Sequence, residues 1–169
     1  RHPDTLRTFV NTILAEPWRD DDTEGAIDPS GLAVLAAPIG LDRIPASVIF
    51  LASGVDVQGD RVEVSTLGFT AADDWLVLDH TILAGDPLRD GVWHDLADML
   101  RETYTREDGA RIARSMSAID AGDGNMQDHV IAFAHAGPGR AAIKGVPGAR
   151  PLVSRSDSKR ARLWLVGVD

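Results

Sequence analysis

The chain has 169 residues, 44% of them hydrophobic and 25% charged, enough for a core of its own in one domain plus a connecting segment. A formal net charge of −9 argues against a protein that simply coats nucleic acid, which carries a basic footprint, but not against a carboxylate-lined site whose bound cations invert the local field. The absence of cysteine excludes a disulfide framework, a thiolate metal site and a cysteine nucleophile, as suits a reducing cytoplasm, and no run approaches the roughly 18 apolar residues of a membrane span.

Residues 5–18 suit a short helix or extended arm, with Leu6, Phe9, Val10 and Ile13 at helical spacing. The acidic run 19–25 reads as a solvated linker. Residues 26–47, carrying Pro29, Gly31, Pro38, Gly40 and Pro45, read as a connector with little regular structure. A boundary is expected there, dividing a connector over 1–46 from a domain over 47–169.

From Ser47 the rhythm changes. Strand one runs from Val48 to Asp56, apolar on both faces and so expected at the centre of a sheet. Gln58-Gly59-Asp60 makes a tight turn into an alternating strand two, Arg61 to Phe69. Ala71-Ala72-Asp73-Asp74 turns the chain into strand three, Trp75 to Ile82, and Gly85-Asp86-Pro87 breaks the pattern. Asp90 is expected to cap a helix reaching about Tyr104, with Trp93, Leu96, Ala97, Leu100 and Tyr104 as its apolar stripe. Strand four leads from Ile112 to Asp120, followed by Ala121-Gly122-Asp123-Gly124. A second helix over about 126–136 ends at Gly137-Pro138-Gly139. Strand five covers 141–145, a Gly/Pro/Ser-rich loop with basic residues follows, and 163–168 forms a last strand. A three-strand antiparallel meander followed by parallel strands with crossover helices is a mixed α/β sheet of the ribonuclease H-like kind. In that layout strand one pairs in parallel with strand four.

Asp56 and Asp120 each close a hydrophobic run just before a turn. A single strand-ending Asp more often caps the next turn. Two on neighbouring strands, about 4.8 Å apart, bring together carboxylates that repel unless a cation sits between them. That points to a hard divalent ion, Mg²⁺ or Mn²⁺, and to two-metal phosphodiester hydrolysis. Asp123 and Glu63 are weaker candidates for further ligands, with a turn role and an exposed strand face as their plain alternatives. Late basic residues (Arg150, Arg155, Lys159, Arg160, Arg162) suggest a basic edge on an acidic body. Lys144 and Arg155 are candidate DNA contacts; for Lys144 a solvated strand end is at least as good a reading. The histidines show no HExxH spacing, there is no Gly-x-Ser-x-Gly elbow, and no GxxxxGK[ST] loop is present to bind ATP.

Several motifs occur in order along nearly the whole chain: Thr8-Phe9-Val10-Asn11-Thr12, Glu16-Pro17-Trp18, Gly54-Val55-Asp56-Val57-Gln58-Gly59-Asp60-Arg61-Val62-Glu63, Ala118-Ile119-Asp120-Ala121-Gly122, Ile143-Lys144-Gly145 and Val166-Gly167-Val168-Asp169. Together they resemble the large terminase subunit of lambda-type tailed phages and prophages. The resemblance implies the connector from a packaging ATPase plus most of a ribonuclease H-like endonuclease, with Asp56 and Asp120 matching the family's first two metal-binding acids. It implies that the family's sequence continues past Val-Gly-Val-Asp into a helical stretch supplying another site acid, with Asp169 capping that helix. Implied also are cutting of concatemeric double-stranded viral DNA, a small terminase subunit and portal protein as partners, and the host bacterial cytoplasm as location. A non-catalytic docking module with a vestigial or incomplete site is the alternative. A junction resolvase on the same fold is a third, against which the Phe9-Val10-Asn11 segment argues.

Overall fold

The computed structural model describes residues 38–156 and 163–168. The arm over 5–18, the acidic linker, Lys159, Arg160, Arg162 and Asp169 lie outside the described residues.

Alternation of apolar and polar residues builds a meander of three ten-residue strands: β1 (Val48–Val57), β2 (Arg61–Thr70) and β3 (Trp75–Ala84). The first turn closes with the Gln58 amide donating to the Arg61 carbonyl at 2.9 Å; in the second, Thr70 donates to Asp74 at 3.0 Å. The chain then crosses through α1 (Asp90–Arg101) and the short β4 (Thr103–Thr105) to β5 (Arg111–Asp120). Helix α2 (Gln127–His135) leads to β6 (Arg140–Pro147), and β7 (Val153–Arg155) and β8 (Trp164–Val168) complete the sheet. The strand order is β3-β2-β1-β5-β6-β8-β7, with β4 added to β5. The β1–β5, β5–β6 and β6–β8 pairs are parallel; the meander, β4–β5 and β7–β8 are antiparallel. This is the ribonuclease H-like mixed sheet, with β1 between β2 and β5 as its sequence led one to expect. No helix among the described residues is long and apolar enough to cross a membrane.

The main core lies between the helices and one face of the sheet. Val55, Val57, Val62, Val64 and Ile119 meet Val92, Trp93 and Leu96 of α1 and Val130, Phe133 and Ala134 of α2. Trp93 and Phe133 stack with ring centroids 5.0 Å apart, and Trp93 Nε1 donates to the Pro87 carbonyl at 2.9 Å. A fully buried leucine such as Leu96 contributes about 1.5–3 kcal/mol through apolar burial. A smaller core of Ile44, Val48, Leu51 and Leu78 sits at the other end of the strands.

Five expectations change. Residues 38–47, read as connector, belong to the described body, which begins at Pro38; Ile44 is fully buried and the Arg106 guanidinium donates to the Val48 carbonyl at 2.7 Å. Helix α1 stops at Arg101, because Glu102 turns to an extended conformation (φ −59, ψ 146) and Tyr104 pairs with Ile112 in β4 and packs on the smaller core. Arg89 rather than Asp90 is the N-cap of α1, without a side-chain cap bond, and Asp90 puts its charge in the first turn. The loop expected before the last strand contains β7, which finds a partner in β8. Burial of β1 is also one-sided: Val55 and Val57 are buried while Gly54 and Asp56 are exposed.

Candidate functional site

Parallel pairing of β1 with β5 runs to Val55 opposite Ile119. Asp56 and Asp120 follow one step later on each strand, so the geometry that fixes Val55 beside Ile119 sets the two carboxylates at one edge. On the other side Asp56 lies opposite Glu63 of β2, and Asp120 lies opposite Ile143 of β6. Asp56, Glu63 and Asp120 line one open hollow of about 420 Å³ together with Gly54, Ser65, His80 and Ile143. The structure therefore brings together three of the four acids the sequence singled out.

Each acid has local partners. Gln58 Nε2 donates to Asp56 Oδ2 at 2.5 Å, and the Gly122 amide donates to Asp120 Oδ1 at 2.9 Å. Both bonds orient a carboxylate at the rim of the hollow. Glu63 is more heavily engaged: Arg61 Nε donates to its Oε1 at 2.7 Å, and His80 Nε2 lies 3.5 Å from Oε2. The Glu63 hydrogen bond, then that to Asp60, raises the Arg61 guanidinium above its ordinary value. The other ring nitrogen of His80 is 3.0 Å from Ser65 Oγ.

The remaining predicted residues sit elsewhere. Asp123 accepts from the Asn125 amide at 2.9 Å in the turn before α2 and does not line the hollow. Lys144 points to the helix side, its Nζ 3.5 Å from Gln127 Oε1. Arg155 is on β7 and lies over the Trp164 ring. Sequence reasoning missed His80 and Ser65. Ser65 was within reach, two residues beyond Glu63 and so on the same face of β2. His80 was not, since its place depends on the β2–β3 register.

Two solvent-open carboxylates with oxygen donors only are suited to a hard cation that keeps most of its water. They do not make a closed cage: among the described residues no group of three or more His, Cys, Asp or Glu side chains is placed to hold a metal ion. A larger hollow, about 570 Å³, lies between α1 and α2, with Trp93, Leu100, Phe133, Arg101 and Arg140 in its wall. Burial there, and then the charge of Arg101, lowers the Arg140 guanidinium. It has no carboxylate pair, and neither Asp56 nor Asp120 lines it.

The family model for the terminase large subunit gpA endonuclease domain matches residues 1–169. The chain is 27% identical over 122 residues to the terminase large subunit of Enterobacteria phage P21, covering 72% of this chain and 19% of that protein. With the terminase large subunit of Escherichia phage lambda it shares 27% identity over 119 residues, covering 69% of this chain and 18% of that protein. The chain thus spans about a fifth of the length of these curated relatives. No solved structure matches it.

Proposed function

The chain belongs to the terminase large subunit gpA endonuclease-domain family, and on that premise we propose that it cuts double-stranded viral DNA at the hollow formed by Asp56, Asp120 and Glu63. The observation that carries this reading is the meeting of Asp56 and Asp120 at the ends of adjacent parallel strands, in one hollow with Glu63. Asp56 and Asp120 are the residues that would hold Mg²⁺ or Mn²⁺, with Glu63 joining when it leaves Arg61. Cations bound there supply an activated water and stabilise the departing 3′ oxygen. The chain's own part is orientation: Gln58 and the Gly122 amide fix the two carboxylates, and the open rim admits a backbone phosphate. No side-chain nucleophile is required. Concatemeric phage DNA as substrate, a small terminase subunit and a portal protein as partners, and action in the host bacterial cytoplasm complete the proposal.

Supercoiled-plasmid nicking with Mg²⁺ or Mn²⁺ tests it, comparing the wild type with Asp56→Asn and Asp120→Asn. Loss of an outer-sphere partner of a metal site already costs about 10–100-fold, so removal of either ligand should cost at least about a hundredfold. Equal nicking by all three proteins would sink the assignment. One observation favours a second reading, a non-catalytic docking module: the described residues offer no three-ligand metal group. A Mn²⁺-dependent rise in melting temperature that disappears in Asp120→Asn supports the nuclease; no shift in the wild type supports the docking module.

A further inference from the structure

Asp120 begins a row that crosses the sheet toward β7. Its register partner is Ile143; Ile143 lies opposite Trp164, and Trp164 opposite Arg155. Side chains directly opposite one another project from the same side of a sheet. Asp120 and Ile143 both line the hollow, which identifies that side as the carboxylate face. The alternate residues confirm the parity: Lys144 reaches Gln127 of α2, and Leu165 packs on the helix-side core.

At the far end of the row the Arg155 guanidinium lies 4.6 Å from the centre of the Trp164 ring. Arg155 is exposed and has no carboxylate partner among the described residues. Three other guanidiniums near the sheet are engaged. Arg61 shares the carboxylate face but is held by Asp60 and Glu63. On the helix side, Arg114 is bonded to Ser53, Thr66 and the Met99 carbonyl, and Arg140 lies on Phe133.

We propose that Arg155, held over the Trp164 ring, binds a backbone phosphate of the DNA strand that enters the hollow. This rests on the nuclease reading of Asp56 and Asp120. A guanidinium stacked on an aromatic ring is immobilised with its N–H edge free, and that edge matches two phosphate oxygens. Three strand spacings of about 4.8 Å separate Asp120 from Arg155. The contact therefore falls about 14 Å from the cut, about four base-pair steps when measured along the duplex axis at 3.4 Å per step. Trp164 is a positioning residue here, acting through Arg155. Its location also gives the strand a direction across the sheet, since the β2 side of the hollow carries Glu63 and Asp60, which repel phosphate.

The test is binding of a labelled duplex by fluorescence anisotropy, without divalent ions, across a salt series. Arg155→Gln should weaken binding about tenfold at low salt and lower the slope of log K against log salt by about 0.9, the signature of one lost phosphate contact. Arg155→Lys should keep the slope and recover part of the affinity. Trp164→Leu should weaken binding about threefold with the slope retained, because the charge remains. An unchanged affinity and slope in Arg155→Gln would overturn the contact. The nicking assay separates this from the reading beneath it. If Asp56→Asn and Asp120→Asn abolish nicking while Arg155→Gln binds like the wild type, only the phosphate contact falls. If those two variants nick normally while Arg155→Gln loses slope, the site assignment falls and the contact stands.

Discussion

Arg114 joins α1 to two strands, and its removal gives a stability prediction that can be worked from the structure. Its Nη1 donates to the Met99 carbonyl in the last turn of α1 at 2.7 Å, Nε to Ser53 Oγ at 3.0 Å and Nη2 to Thr66 Oγ1 at 3.3 Å. The guanidinium also lies 5.0 Å from the centre of the Tyr104 ring. Hydrogen bonds to a charged group contribute roughly 1.5–3 kcal/mol each. Not all of that is lost on substitution, because the buried Ser53 and Thr66 hydroxyls keep each other at 3.3 Å. The Met99 carbonyl loses its charged donor but keeps the Glu102 backbone N–H at 3.3 Å, a loss of about 2 kcal/mol; the Ser53 bond adds about 1 and the ring contact about 0.5. A methionine in this half-buried position returns about 0.5 kcal/mol of apolar burial. Arg114→Met should therefore destabilise by about 3 kcal/mol, a fall in Tm of about 6–12 °C for a chain of this size. Arg114→Lys, a point charge that reaches one of the three acceptors, should lie between. Urea unfolding followed by tryptophan fluorescence measures both. The exposed Arg111 makes a control, since Arg111→Met should stay within about 0.5 kcal/mol of the wild type. If Arg114→Met matches that control, the guanidinium does not tie α1 to the sheet.

The chain has a single tyrosine, so its titration can be read directly from tyrosinate absorbance. Burial first, and then the hydrogen bond Tyr104 donates to Glu102, push its hydroxyl up from 10.0 to about 12. A folded pKa raised in this way leaves the stabilisation intact below about 10 and removes it as pH climbs toward 12; a folded-state midpoint near 10 would show that the ring is solvated. At Gly139 the backbone has φ +69, and an added Cβ would stand 2.9 Å from the Ser115 carbonyl oxygen. Gly148 has φ +97 but open space around it. Gly139→Ala should thus cost about 2 kcal/mol or more and Gly148→Ala about 1, the left-handed penalty alone; equal losses in urea melts would mean that the 139 contact yields.

Strand one, the meander and the parallel return to Asp120 were legible because their apolar alternation and turn chemistry are local. The carboxylate pair was legible for a related reason: once strand order is known, two strand-ending acids on neighbours need no further information to meet. Tyr104 was misread because its spacing continues the α1 stripe. Helical periodicity does not reveal that Glu102 leaves the helix or that β5 offers Tyr104 a pairing edge. The short β7 was hidden for the opposite reason, since Val153-Ser154-Arg155 has too little length to carry a pattern and becomes a strand only against β8. Ile44 gives no periodic signal within a proline-rich connector, yet it is fully buried.

Register explains why the site end of the sheet could be reasoned out while the other end could not. The shifts fall between Val48 and Phe50 in the β1–β2 pair, between Leu51 and Ala52 in β1–β5, and between Thr66 and Leu67 in β2–β3. All lie on the side away from Asp56 and Asp120. From Ala52 to Val57 the pairing of β1 is regular, so counting residues puts Asp56 opposite Glu63 and leaves Asp120 as the next neighbour. Across the β2–β3 shift, counting fails. Continuing from Ser65 opposite His80, an unbroken ladder would set Leu67 against Leu78; the bulge sets it against Val77 instead. Val77 is consequently exposed, while Leu78 is buried with Ile44, Val48 and Leu51. A bulge leaves one residue unpaired and bends its strand, and here that bend supplies the smaller core with its leucine. Irregularity is thus used where the chain must close a core around residues 38–47, and regular pairing is kept where two carboxylates must stand side by side.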